Sequence, residues 1–111
     1  MDYAFGELLL VPVVFSDQTA SKKRPVLVVR DGGDDDLLVA PATGYRPRSP
    51  YDVELTDWRS EGLKLPSTVR LEKLATVEKS LVVRRLGKLS VRDSAKIKEV
   101  LRGFLSAIMP A

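Results

Sequence analysis

Arg24 ends a run of three cations, Lys22, Lys23 and Arg24, and stands directly before Pro25, which opens the β-branched stretch Val26, Leu27, Val28, Val29. A guanidinium is charged at every working pH and grips a phosphate with two parallel N–H donors. A rigidly held arginine is therefore suited to a phosphodiester on which negative charge builds. Proline has a fixed φ and no N–H, is tolerated at a strand's first position, and biases the residue before it toward extended geometry. The sequence thus predicts Arg24 at the mouth of a buried strand, with Lys22 and Lys23 beside it on a looser loop. A hydroxyl candidate, Thr43, closes the next apolar run, LLVAPAT. Each feature also has a plain structural account: a basic run is commonly solvated surface, and a strand-end threonine commonly bonds to backbone.

The rest of the composition narrows the chemistry. The 111 residues contain no histidine and no cysteine. That removes the commonest transition-metal ligands, the Ser-His and Cys-His nucleophile pairs, and the imidazole acid and base of many nucleases. Chemistry here must use arginine, lysine, carboxylates, hydroxyls or backbone. The consecutive Asp34, Asp35 and Asp36 offer oxygens to a hard cation, but neighbours in a loop seldom all point inward and no EF-hand pattern surrounds them. A solvated turn is the expected account, and no metal site is predicted.

The length sets a single domain over residues 1–111. No stretch is long and apolar enough to span a bilayer, and no cationic leader precedes the first apolar run, so a cytoplasmic protein is expected. Charge is uneven: residues 1–78 carry 10 basic and 13 acidic groups, whereas 79–111 carry 8 and 2. The basic final third suits an RNA backbone or an acidic protein partner without choosing between them.

The elements that must position Arg24 and Thr43 follow from periodicity. Residues 6–15 read as a strand buried on both faces, with Pro12 at a bulge or an edge. A polar loop over 16–23 leads into the strand at 26–30, and the six residues DGGDDD turn it back into the strand that ends at Thr43 and Gly44. The loop YRPRSP, short strands at 51–55, 67–71 and 80–86, and a loop over 57–66 holding the only tryptophan, Trp58, come next. A lone tryptophan could stack on a base, but it more often packs against a core or a subunit interface. The chain closes with a helix whose stripe Ile97, Val100, Leu101, Phe104, Leu105 and Ile108 must be buried against the sheet or a second subunit. Ser90 is its N-cap, with Asp93 three residues on as a capping-box-like pair, and Pro110 follows its end. Five or six short strands and one C-terminal helix make a mainly β fold, a strongly bent antiparallel sheet or half-open barrel.

In that order, GELLLVPVVFSDQTASKKRPVLVV, LLVAPAT and LPSTVRLEKLATVEKSLVVRRLGKLS resemble the MazF/PemK toxins of bacterial type II toxin–antitoxin modules, from about Gly6 to Phe104. The resemblance implies a small SH3-like barrel related to the CcdB toxins, a homodimer, and metal-independent endoribonuclease activity on single-stranded RNA. It implies that the Arg of the RP motif and the Thr closing the third strand are the catalytic pair, here Arg24 and Thr43. Ser21, Lys22, Lys23, Gly44, Tyr45, Arg46 and Arg48 are the expected RNA-binding residues around them. It further implies a cognate antitoxin whose disordered acidic tail covers those cations, with Trp58 or Tyr45 lining its apolar pockets. The chain departs from the family pattern at Gly44, where Ser or Ala is common, and at Ala20, where Gly is common. Two other functions share the fold. One is gyrase poisoning, which in the CcdB toxins depends on a Trp-Gly-Ile end unlike the Ile-Met-Pro-Ala here. The other is a catalytically silent interaction protein.

Overall fold

A computed structural model describes residues 2–14 and 21–109, with only the backbone at 13, 14 and 21. Among these residues are seven strands and one helix: β1 (Glu7–Val14), β2 (Ser21–Asp31), β3 (Asp36–Thr43), β4 (Asp52–Glu54), β5 (Thr68–Arg70), β6 (Ala75–Glu78), β7 (Arg84–Lys88) and α1 (Val91–Ile108). All pairings are antiparallel. The sheet runs β4-β5-β3-β2-β1-β7, with β6 added beside β3. β3 changes partner along its length, taking β6 over residues 36–39 and β5 at Ala42 and Thr43, and this exchange bends the sheet. No helix among the described residues is long and apolar enough to cross a membrane.

The central strands are apolar on both faces because both faces are covered. On one side Leu8, Leu27, Ala40, Ala42, Val53, Leu55, Val69, Leu71 and Ile97 form the larger core, beneath α1. On the other, Leu9, Val11, Val26, Val28, Leu37 and Val39 form a second core covered by Tyr3, Val77 and Val82. Asp31 fastens that cover. It pairs with Lys79 Nζ at 2.8 Å and accepts from Tyr3 N at 2.9 Å. The lysine first, then the backbone N–H groups of Tyr3 and Gly33, hold its carboxyl well below the usual range.

Three prolines sit inside paired strands without disrupting them. The Leu10 carbonyl accepts from Val83 N, so Leu10 directs its peptide groups toward β7 and away from β2. Leu10 and Pro25 are therefore a non-hydrogen-bonded pair, and so by register are Pro12 with Lys23 and Val26 with Pro41. None of the three is asked for the N–H it lacks. Pro12 also lies beyond the last β1–β7 pair, at Leu10, which gives it the expected edge position, whereas the bulge falls at Leu8/Leu9.

Several boundaries differ from the sequence expectation. β2 begins at Ser21, so Pro25 is its fifth residue and not its first, because β1 runs far enough to pair with residues 21–25. The strand expected at 80–86 is a 3-10 turn at Lys79–Leu81 followed by β7. β6, which the sequence analysis does not identify, forms because Val77 can cover the second core from beside Leu37. The helix buries Ile97 and packs Val100 and Leu101 on the larger core, while the Phe104 ring lies 5.1 Å from that of Tyr51. Its last apolar turn does not follow: Ile108 is 58% and Met109 68% exposed.

Candidate active site

β1 and β2 hold Arg24 in a ladder, opposite Val11. Side chains alternate along a strand, so Lys22, Arg24 and Val26 share the face of the second core, while Lys23 and Pro25 point to the other. Lys22 and Lys23 are thus strand residues paired with Val13 and Pro12, not loop residues, and they diverge. Thr43 ends β3 on the same face as Arg24, since its neighbour Ala42 is buried in the opposite core. The β2–β3 register pairs Val26 with Pro41 and Leu27 with Ala40. Carried two residues past its last pair, that register sets Arg24 across from Thr43. Sequence spacing shows neither this nor the split of the lysines, because both depend on where β2 starts.

Thr43 pairs with the buried Thr68 of β5, and its Oγ1 accepts from Tyr45 N at 3.4 Å. This backbone contact uses the oxygen as acceptor and leaves the O–H available to donate. Gly44, Tyr45, Arg46 and Arg48 are all exposed on the loop that follows. Arg48 lies 5.3 Å over the Tyr45 ring, and its N–H donates to Asp52 Oδ2 at 2.9 Å, which ties the loop to β4. A Cβ added at Gly44 would meet nothing within 4 Å. The departure from Ser or Ala there is imposed by neither space nor backbone. Ala20, the other departure, and most of the loop expected at 16–23 lie outside the described residues, as does the side chain of Ser21. Trp58 is partly buried against the larger core, with Arg59 stacked 5.0 Å over its ring, which is the packing role expected of a lone tryptophan.

Asp34 and Asp35 are exposed in the β2–β3 turn, where Asp34 Oδ1 accepts from Asp36 N at 3.0 Å. Among the described residues the acidic cluster that the fold assembles is elsewhere: Asp57, Glu61 and Asp93, with one oxygen of each within 4.8 Å of the others. It replaces the expected capping box. Ser90 Oγ does accept from Asp93 N, but Asp93 turns its carboxylate away, to the N–H groups of Thr56 (3.0 Å) and Asp57 (2.9 Å). The Ser90 N–H is instead capped at 2.8 Å by Glu61, from the loop before β5. Asp57 closes the arrangement with two bonds from Arg92 and one from Ser90 Oγ, and these hold its carboxyl far below the usual range.

Glu61 and Asp93 are fully buried, and among the described residues Glu61 Oε1 has no donor. Two carboxylates cannot bond to each other unless one carries a proton. The three acids face two cations, Arg92 and Lys96, so one proton neutralises the group, whereas a divalent cation would overcharge it. Burial first, and then the Asp93 charge, raise the Glu61 pKa to about 7 against a partial offset from the Ser90 N–H. Burial opposes ionisation of Asp93 as well, but the N–H groups of Asp57 and Thr56, the Glu61 proton and Lys96 outweigh it and lower the pKa. Of the two, Glu61 is the one that takes up a proton first as pH falls. An acid whose pKa is raised on folding stabilises the fold below its unfolded value and loses that contribution as pH rises through the folded value. Urea unfolding should show stability contributed by this group declining between pH 4.5 and about 7. Glu61→Gln, which keeps a donor toward Asp93, should flatten that window. An unchanged slope in the variant would refute the shared proton.

A family model described as PemK-like, MazF-like toxin of type II toxin-antitoxin system matches residues 4–105. The chain belongs to that family. Solved structures agree on the PemK/MazF fold. An endoribonuclease crystallised in complex with its cognate antitoxin, from Mycobacterial species, superposes with a TM-score of 0.76 at 18% identity, over 95% of this chain and 96% of that one. MazE–MazF from Deinococcus radiodurans gives 0.74 at 18% identity, over 95% and 98%. The Mycobacterium tuberculosis toxin MazF-mt6 gives 0.73 at 20%, over 90% and 96%. No curated protein matches the chain. Within this PemK-like, MazF-like toxin the resemblance carried by the RP and LLVAPAT segments thus extends to the whole sheet and helix.

Proposed function

We propose that this chain is an endoribonuclease toxin that cuts single-stranded RNA at short sequences, without metal, and so arrests translation. The observation that supports the proposal is that Arg24 and Thr43 share one face of the neighbouring strands β2 and β3, each two residues beyond the last pair, Val26 with Pro41, within a fold shared with endoribonucleases. The RNA's own 2′-oxygen attacks the adjacent phosphorus, the bond to the 5′-oxygen breaks, and the 2′ proton leaves to solvent as the 5′-oxygen gains one. The ends are a 2′,3′-cyclic phosphate and a 5′-OH. Arg24 holds the phosphoryl oxygens as charge develops, and the Thr43 O–H is a second donor. The proton transfers are left to solvent, since neither a guanidinium nor an alcohol is an efficient general acid or base. The enzyme is expected to be slow, acting by positioning and charge stabilisation. Lys22, Lys23, Ser21, Gly44, Tyr45, Arg46 and Arg48 provide the surrounding RNA contacts.

A cognate antitoxin with a disordered acidic tail is the proposed regulator, competing with RNA for the same cations. The exposed apolar end of α1 supports a homodimer, with sedimentation at twice the 12.3 kDa chain mass. The deciding experiment incubates the protein with a long single-stranded RNA in EDTA and maps the ends, alone and with antitoxin titrated in. Cutting should persist in EDTA and stop as antitoxin binds. Activity lost to EDTA and restored by Mg²⁺ would remove the metal-free mechanism. Full antitoxin binding without inhibition would remove the shared site. No cutting of any RNA would favour a catalytically silent interaction protein, which gains no support from the open surroundings of Gly44.

A further inference from the structure

The basic excess of the last third of the chain separates into two sets. Lys79, Arg85, Arg92 and Lys96 are consumed inside the fold, paired with Asp31 at 2.8 Å, Glu7 at 2.8 Å, Asp57 at 2.6 Å and Asp93 at 3.3 Å. Arg84, Lys88, Lys98 and Arg102 form no ion pair among the described residues. Three of these four converge on one open groove of about 610 Å³ between β7 and α1, lined by Lys88, Lys98, Arg102, Ser90, Ser94 and Val91 among others. Among the described residues no acidic side chain lines it, and Glu99, exposed beside it on the helix, pairs with none of the three. Lys98 is held there by its contact with the Phe5 ring, 5.5 Å away. Like charges gathered in one concavity repel unless an anion joins them.

We infer that this groove between β7 and α1 binds the phosphate backbone of RNA, at a place separate from Arg24 and Thr43. Its mixture of lysine, arginine and serine hydroxyls is that of surfaces that hold a nucleic-acid backbone without reading bases. The inference rests on RNA being the substrate. Lys88 pairs with Glu7 and Arg24 with Val11, so the two lie four residues apart along β1 and two strands apart across it. Within the sheet that is roughly 16 Å, the length of about five stacked nucleotides, and the path to Lys98 and Arg102 is longer because α1 covers the face opposite to Arg24. Only an RNA longer than about five nucleotides can therefore meet both places. The groove would hold flanking RNA and raise affinity without setting the cut sequence.

The test compares wild type with the triple variant Lys88→Ala, Lys98→Ala, Arg102→Ala by fluorescence anisotropy, using RNA made uncleavable by 2′-O-methylation. A long oligonucleotide and one of about four nucleotides are each titrated across salt concentrations. For the long RNA, losing three phosphate contacts should lower the slope of log affinity against log salt by about 2. The affinity lost between 50 and 200 mM salt would then be about 20-fold smaller than in wild type, with no such change for the short RNA. An unchanged slope on the long RNA would overturn the inference. So would a variant that loses affinity for polyglutamate but not for RNA, or one that loses the wild-type sedimentation, which would make the groove a protein partner's site or a contact between copies. Since the probe is never cut, a protein without ribonuclease activity would refute the proposed function while this binding result still stood or fell by itself.

Discussion

Arg24→Ala should abolish RNA cutting, by about 10³-fold or more, while far-UV circular dichroism and the unfolding midpoint stay close to wild type. The chemical half follows from what the residue would supply. With no histidine or cysteine in the chain, stabilising charge on phosphorus is the main contribution this protein can make. Removing a single preorganised donor to a developing oxyanion commonly lowers a rate by about 10²–10³, and a guanidinium supplies charge as well as two donors. The structural half follows from exposure: Arg24 stands outside both cores, and its strand is held through backbone pairs with β1 that an alanine preserves. An exposed substitution that leaves both cores and the ladder intact should cost no more than about 1 kcal/mol. Arg24→Lys keeps the charge but loses the fork, so it should recover only part of the rate. A rate near wild type in Arg24→Ala would take Arg24 out of the mechanism, and Thr43→Val, which removes only the hydroxyl, would then be the variant to measure.

The candidate site is legible in the sequence as residue types, not as placement. The cations before Pro25 and the threonine after LLVAPA are visible in one dimension, and burial of β1 on both faces follows from its unbroken apolar run. The start of β2 was not visible, because a proline that usually opens a strand is equally at home at a non-hydrogen-bonded position inside one. That boundary decides that Lys22 shares a face with Arg24 and that Lys23 does not. The acidic cluster was invisible for a different reason. Asp93 at the third position after Ser90 satisfies the local capping pattern, and only tertiary structure shows that Glu61, 29 residues away, takes over the Ser90 N–H. The basic groove sits between these cases: the charge count announced an excess in residues 79–111, but which four cations are neutralised depends on the partners the fold brings to them.

The second large effect is expected from a glycine. Gly62 has φ +91°, and a Cβ built on it would lie 2.0 Å from the Leu86 carbonyl oxygen and 2.6 Å from its carbon. From the other side, a Cβ on Gly87 would lie 2.3 Å from the Glu61 carbonyl oxygen. The two backbones therefore rest directly on each other, and no flexible side chain is available to yield. Relief would require the loop to part from β7, which draws Glu61 away from the Ser90 N–H and leaves that donor at the start of α1 without its carboxylate. Gly62→Ala should lower stability by about 4 kcal/mol or more, a large share of what a domain of this size has. Two other glycines separate the causes. Gly33, at φ +88°, has nothing within 4 Å of a built Cβ, so Gly33→Ala measures left-handed strain alone, about 1–2 kcal/mol. Gly44 has neither positive φ nor a neighbour, and Gly44→Ala should be neutral or slightly stabilising through the unfolded chain. Denaturant unfolding of the three variants gives the order directly. If Gly62→Ala proves no worse than Gly33→Ala, the contact between residues 61–62 and 86–87 is not what fixes the loop, and the burial of Glu61 beneath the helix must be maintained by the Asp57, Ser90 and Arg92 bonds instead.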